Sequence, residues 1–101
     1  MAVLSKDTGL VTAALTAQNT FTDWIYSTKE FNLSISGTFV GTITVQRAFD
    51  TASPDADARD VDTFTAPTET YGFEPSGVAL YRAGFKTGEF TSGTANIRIG
   101  R

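Results

Sequence analysis

The residues best able to do chemistry in this sequence are the aspartates within "ITVQRAFDTASPDADARDVDTF", residues 43–64. Carboxylates at alternating loop positions are typical of calcium sites, and four aspartates approach that spacing: Asp55, Asp57, Asp60 and Asp62. A calcium loop counted from the first of them needs Gly at its sixth position and Glu at its twelfth, where the sequence has Asp60 and Ala66. We therefore expect no bound metal, keep these four aspartates as the candidate ligands, and interpret the segment as a solvent-facing connection between two strands.

Paired carboxylates are a second arrangement that could be catalytic. Glycoside hydrolysis needs two carboxyl groups about 5–10 Å apart on either side of a bound sugar, and Glu69 and Glu74 are one conceivable pair. The sequence has no His and no Cys, which excludes imidazole or thiolate zinc sites and nucleophiles activated by His. No pairing of a nucleophile with a base is visible, so we expect a protein that is not an enzyme and needs no cofactor.

Three aromatic residues are candidates for contact with a partner: Trp24, Tyr71 and Phe73. Most of the twelve aromatic residues are expected to pack in the core, because each buries roughly 150–250 Å². Tyr71 and Phe73 differ, since they lie in the polar, turn-rich stretch "TETYGFEPSG", and exposed aromatic residues are enriched at protein interfaces.

Charge excludes some classes of partner. Eight basic and eleven acidic residues give a net charge of −3, and the basic residues are scattered along the chain. Sequence-independent nucleic-acid binding and attachment to anionic membranes both need clustered Lys and Arg. We therefore expect neither nucleic acid nor membrane as a partner.

The elements that must position these residues are strands, because apolar and polar residues alternate with period two. "EFNLSISG" places Phe31, Leu33 and Ile35 on one face, and "TANIRIG" does the same with Ala95, Ile97 and Ile99. "TFVGTITVQRAF" and "VALYRAGF" alternate similarly, whereas the facing of "FTDWIY" is ambiguous.

Turn signals separate these runs at short intervals, among them Ser36-Gly37, Thr87-Gly88 and Ser92-Gly93. This spacing predicts an all-β, single-domain antiparallel β-sandwich, Ig-like or jelly-roll-like, with about seven or eight short strands. We assign residues 14–101 to the sandwich and residues 1–13 to an N-terminal arm or a first strand. The N-terminal stretch lacks a basic region and an unbroken apolar run, so we do not expect it to be a signal peptide.

Four stretches together resemble small virion structural proteins of tailed bacteriophages. They are "ALTAQNTFTDWI" (14–25), "FNLSISGTFVGTITVQRAFD" (31–50), "RDVDTFTAPTETYGFEP" (59–75) and "LYRAGFKTGEFTSGTANIRIG" (80–100). The resemblance covers residues 14–100 and is one of general cadence, without a catalytic signature. It implies an all-β domain on the capsid or tail, located in the virion after assembly in the host cytoplasm.

The resemblance implies a capsid decoration (cement) protein, which stabilises neighbouring capsid subunits by binding alone. The expected partners are the major capsid protein or other virion proteins, and the expected homo-oligomer is a trimer. The alternative is a tail- or fibre-associated β-sandwich module that binds a carbohydrate or receptor through Trp24, Tyr71 or Phe73. The position of these aromatic residues in the fold distinguishes the two hypotheses.

Overall fold

A computed structural model describes residues 9–27, 29–50, 52–74 and 79–101 of the chain. These residues contain no helix, and they form nine strands, β1 to β9, at Leu10–Leu15, Thr20–Phe21, Ile25–Ser27, Glu30–Ser36, Phe39–Ala48, Arg59–Phe64, Thr68–Phe73, Ala79–Gly93 and Ala95–Gly100. One sheet, sheet A, has the order β1-β9-β4-β7. Sheet B has the order β2-β8-β5-β6, with β3 also paired to β8. All pairings are antiparallel, so the prediction of an all-β sandwich is confirmed.

The core lies between the two sheets and follows the period-two pattern. Sheet A contributes a row of buried residues from β4 and β9: Phe31, Leu33, Ile35, Ala95, Ile97 and Ile99. Sheet B contributes a facing row from β3, β5 and β8: Ile25, Ile43, Val45, Ala79, Tyr81, Ala83 and Phe85. Each fully buried Val, Leu, Ile or Phe side chain stabilises the fold by about 1.5–3 kcal/mol.

Strand β8 is longer than the turn signals predict. Thr87-Gly88 and Ser92 lie inside it, because β8 stays paired with β5 on both sides of an irregularity. Ile43 pairs with Phe85, while Gly41 pairs with Phe90, so the intervening residues of β8 bulge outward. Gly88 has φ of +83° within this bulge, and its N–H donates to the side-chain oxygen of Gln18 at 2.6 Å. The turn that the sequence suggests at Thr87-Gly88 is thus a bulge within one continuous strand.

The "FTDWIY" segment forms parts of two short strands instead of one. This explains why a single alternation of inward and outward residues does not describe it. β2 ends at Phe21 and β3 begins at Ile25. The irregular residues between them let Trp24 turn to the outer face of sheet B while Ile25 enters the core. Both are consequently buried, although they are neighbours in sequence.

The first strand is part of the sandwich. β1 pairs with β9 from Leu10↔Gly100 to Leu15↔Ala95, so residues 10–13 belong to a first strand. The rest of the predicted arm, up to residue 8, lies outside the described residues. No helix in the described part of the chain is long and apolar enough to span a membrane.

Candidate binding surface between β6 and β7

Two sheet edges lie side by side at one flank of the sandwich. β6 is the last strand of sheet B and β7 is the last strand of sheet A. Residues 65–67 join them by crossing from one sheet to the other. In the part of the chain that the structure describes, neither strand has a partner on its outer side. A strand edge of this kind presents free N–H and C=O groups to another chain.

An apolar groove of about 380 Å³ runs between these edges, and we call it the β6–β7 groove. Its floor consists of core side chains: Phe31, Leu33, Val45 and Tyr81. β6 contributes Val61, Asp62 and Phe64 to one wall, and β7 contributes residues 70–73 to the other. Gly72 in the second wall leaves space for the ring of Phe31, because a side chain at position 72 would collide with that ring.

The first wall of the groove contains a β-bulge in β6. Val45 pairs with Asp62 and Gln46 pairs with Asp60, which leaves Val61 as the extra residue. A bulge bends its strand and redirects the neighbouring side chains. Val61 and Asp62, at this bulge, both line the β6–β7 groove.

Two of the predicted contact residues are exposed beside this groove. Tyr71 is 74% exposed and Phe73 is 58% exposed, and both lie at the outward positions of β7. Val61 on the opposite wall is 50% exposed. Three large apolar side chains therefore surround one apolar groove, which is the pattern of an interaction surface rather than of scattered surface residues. Whether Tyr71 and Phe73 contact a partner stays a prediction.

Trp24, the third predicted contact residue, lies elsewhere and is only 5% exposed. It packs with Ala48 and Leu80 on the outer face of sheet B. Its Nε1–H donates to a carboxylate oxygen of Asp55 at 2.8 Å, and the guanidinium of Arg82 lies 4.6 Å from its ring. Trp24 thus secures the protein's own loop and offers little surface for stacking.

A buried ion pair closes one end of the groove. Arg47 donates from Nε to Oε1 of Glu74 at 2.7 Å and from Nη2 to Oε2 at 2.6 Å. The hydroxyl of Tyr81 donates to Oε1 of Glu74 at 2.6 Å. The Glu74 side chain is 0% exposed, and its partners belong to β5 and β8 of the opposite sheet. The ion pair therefore ties the end of β7 to sheet B.

The ion pair also shifts the protonation equilibria of its members. The hydrogen bond to Glu74 raises the pKa of Arg47 above its usual value. Burial, helped by the hydrogen bond to Glu74, raises the pKa of Tyr81 to about 12. Arg47 therefore stays charged and Tyr81 stays protonated at neutral pH, and the guanidinium lies against the carboxylate of Glu74 inside the fold.

The acidic connection is exposed as predicted, but it is anchored to the protein. Pro54 is buried, and Asp55 accepts a hydrogen bond from Arg82 at 3.2 Å in addition to that from Trp24. Asp57 accepts from the backbone N–H groups of Phe49 and Asp50 at 2.7 and 3.1 Å. These two bonds lower the pKa of Asp57. The segment is therefore a solvent-facing connection, as the sequence predicts, but its hydrogen bonds hold it along the outer face of sheet B.

The other two candidate metal ligands have separate surroundings. Asp60 accepts from Lys86 at 2.5 Å and from Gln46 at 3.0 Å, and these bonds lower its pKa. Among the described residues, the side chain of Asp62 accepts one hydrogen bond, from the neighbouring N–H of Thr63 at 2.9 Å. Within the described ranges, no three His, Cys, Asp or Glu side chains are grouped so that they could hold a metal ion.

The candidate carboxylate pair of a glycosidase does not share one cleft. Glu69 pairs across the sheet with Ser34 and accepts a hydrogen bond from its hydroxyl at 2.5 Å on the exposed side of sheet A. Glu74 is enclosed between the sheets with Arg47. A sugar ring could not contact both, as the two-carboxylate mechanism requires.

Sequence reasoning missed the ion pair and the groove. One signal for the ion pair was present, since Arg47 continues the core-facing alternation of Ile43 and Val45. A charged residue at an inward position requires a buried partner. Comparison of the sequence with models of protein families, with curated proteins and with solved structures finds no match.

Proposed function

We propose that this chain is a non-catalytic binding protein of a bacteriophage virion, in its most specific form a capsid decoration protein that attaches through the β6–β7 groove and its rim. The observation that carries this proposal is the grouping of exposed Val61, Tyr71 and Phe73 around one apolar groove at two open sheet edges. The placement in a virion rests on the resemblance of residues 14–100 to phage structural proteins.

Physical arguments support attachment rather than catalysis. A stable protein contact buries roughly 1,200–2,000 Å² in total and is centred on a few aromatic or arginine side chains. Tyr71 and Phe73 supply such side chains on a strand that is already paired with β4, so little backbone entropy is lost on binding. Repetition of the contact over a capsid lattice multiplies a modest affinity through the effective concentration.

The oligomer is part of the same proposal. A decoration protein that bridges neighbouring subunits is expected to act as a trimer, with the major capsid protein or other virion proteins as its partners. Light scattering after size exclusion measures the mass in solution. A trimer in solution or on the particle supports the proposal, and a protein that is monomeric in both contradicts the predicted trimer.

The decisive experiment is to image the particle that carries the protein and to rebind purified protein to particles stripped of it. We expect copies at regular lattice points. Replacing Tyr71 and Phe73 together by Ser removes two exposed aromatic anchors, each worth more than about 1 kcal/mol at an interface centre. We therefore expect at least a tenfold loss of rebinding.

The matched control is Val40→Ser, since Val40 is 57% exposed on β5, away from the β6–β7 groove. We expect this variant to rebind as the unchanged protein does. Decoration would be refuted by a few copies at a single vertex, or by equal losses in both variants.

One observation favours the second candidate, a carbohydrate-binding module. Tyr71 lies on the outer face of sheet A directly opposite Asn32, with Ser34, Glu69 and Arg98 beside it in a shallow depression. An exposed aromatic ring surrounded by amide, hydroxyl and charged groups is suited to a sugar ring. A glycan array distinguishes the two: binding that is abolished by Tyr71→Ser, without lattice copies on the particle, favours the carbohydrate module.

A further inference from the structure

We propose that the β6–β7 groove receives an extended segment of the partner protein, which inserts a bulky apolar side chain and carries a Lys or Arg beside it. This inference rests on the proposed function, because it names the chemistry of the partner at the same surface. It follows from three features of the groove: its size and floor, the character of its two edges, and its charge.

The floor defines what enters. The rings of Phe31 and Tyr81 lie 4.4 Å apart between centroids and form an apolar base together with Leu33 and Val45. A volume of about 380 Å³ is near the lower limit of ligand pockets. It is suited to one or two large side chains, and burying one there stabilises the contact because apolar surface leaves water.

The edges define how the segment is held. β6 is protected against the addition of another strand, as natural edge strands are. It carries Arg59, Asp60 and Asp62 within six residues and has a bulge in its middle. β7 pairs regularly with β4 over six residues and carries one charged residue, Glu69. An added strand is therefore expected on β7, where backbone hydrogen bonds provide affinity and the groove selects the side chain.

The charge of the groove determines which residue is favoured beside the apolar side chain of the incoming segment. Arg47 at the end of the groove is neutralised by Glu74. Asp62 on the wall accepts one bond from the next backbone N–H, and no described Lys or Arg forms an ion pair with it. Within the described part of the chain, the groove thus presents one carboxylate, that of Asp62, with no cation paired to it. A basic residue on the incoming segment is favoured, and an acidic one is repelled.

The test uses two capped synthetic octapeptides of alternating Thr and Val. Each has a central Trp, followed two positions later by Lys in one peptide and by Glu in the other. Amide chemical shifts of the full chain are followed during titration. We expect changes confined to β6, β7 and the adjoining residues of β4 and β5. Because an exposed ion pair contributes modestly, we expect the Lys peptide to bind roughly three- to tenfold more tightly.

A charge reversal checks the role of Asp62. In Asp62→Lys the preference should reverse in favour of the Glu peptide. The matched control is Asp23→Lys, since Asp23 is exposed and is not among the residues that line the groove. This control should keep the preference for Lys, and the amide spectra report whether both variants are folded.

Three results would overturn the inference: no shift changes in the groove at millimolar peptide, equal affinity for both peptides, or shift changes at these amides on raising protein concentration without peptide. The last result would assign the groove to a second copy of the chain.

If the peptides fail to bind but rebinding to particles still requires Tyr71 and Phe73, the inference fails and decoration stands. If the Lys peptide binds in the groove but the particle carries no lattice copies, decoration fails and the groove chemistry stands.

Discussion

At the scale of single residues, Glu74 depends strongly on its hydrogen-bond and ion-pair partners. Its carboxylate is enclosed between the sheets and is held by Arg47 and Tyr81. Moving such a charge out of water costs several kcal/mol, which only close, well-aligned partners offset. The ion pair therefore contributes specificity more than net stability: it defines where β7 ends against sheet B.

Glu74→Gln should lower the free energy of unfolding by about 1.5–3 kcal/mol, because the charge-assisted hydrogen bonds that Arg47 and Tyr81 donate to Glu74 are weakened. Urea denaturation measures the change. Glu69→Gln is the matched control, since Glu69 lies on β7, the strand that Glu74 directly follows, but on its exposed face, and it should change stability by less than about 0.5 kcal/mol.

A double-mutant cycle extends this prediction. Arg47→Met combined with Glu74→Leu should cost less than the sum of the two single changes, because an apolar pair leaves no uncompensated charge. Additive losses, or a Glu74→Gln variant as stable as the control, would contradict the importance of the buried pair.

At the scale of elements, the connection between β5 and β6 acts as a cover for sheet B. Asp57 satisfies two backbone N–H groups where the connection begins, and Asp55 links it to Trp24 and Arg82. Beneath it, Trp24, Ala48 and Leu80 form a small second core on the outer face of the sheet. The aspartates thus have a structural role on this chain, for which the strand pattern gives no indication.

Asp55→Ala should weaken this cover. The Nε1–H of Trp24 loses its acceptor, at a cost of about 1 kcal/mol, and the indole becomes more accessible to water. We expect a red shift of the emission of Trp24, the only tryptophan. Asp23→Ala, an exposed aspartate next to Trp24 in sequence, is the control and should leave the emission unchanged. Identical spectra for both variants would show that Asp55 does not hold the loop.

At the scale of the whole molecule, the charged groups define a range of pH over which the sandwich is stable. The hydrogen bonds that lower the pKa values of Asp57 and Asp60 favour the charged carboxylates in the folded state. Their contribution is present above the ordinary value of 3.8 and is lost as the pH falls through the lower folded pKa values. Tyr81 affects stability at the alkaline limit. Its pKa is higher in the folded protein than in the unfolded chain, so its hydroxyl stays protonated to a higher pH in the folded state.

We therefore expect Tm to be nearly constant at intermediate pH and to fall below about pH 4, where the carboxylates are protonated. It should also fall as pH rises from 10.0, the ordinary pKa of Tyr81, to about 12, its folded pKa. Tyr81→Phe should reduce the alkaline decrease, whereas Tyr71→Phe on the surface should leave it in place. Thermal unfolding followed by circular dichroism measures both limits. An alkaline decrease that Tyr81→Phe does not alter would exclude Tyr81 as its source.

The local alternation of residues was enough to predict the fold class and most of the core. Phe31, Leu33 and Ile35 are buried where the pattern placed them, because side chains of a strand alternate between faces whatever its neighbours are. The same reasoning explains the exposure of Tyr71, since it alternates with the inward residues Thr70 and Gly72 of β7.

The tertiary structure alone decided which residues meet across the two sheets. The β6–β7 groove exists because the order of strands brings the last strand of each sheet to the same flank. Arg47 meets Glu74, and Asp55 meets Trp24, 27 and 31 residues apart along the chain. The period of a strand specifies which way a side chain points. Which partner it meets there depends on sheet order, bulges and the path of the connections, and these arise only when the two sheets pack together.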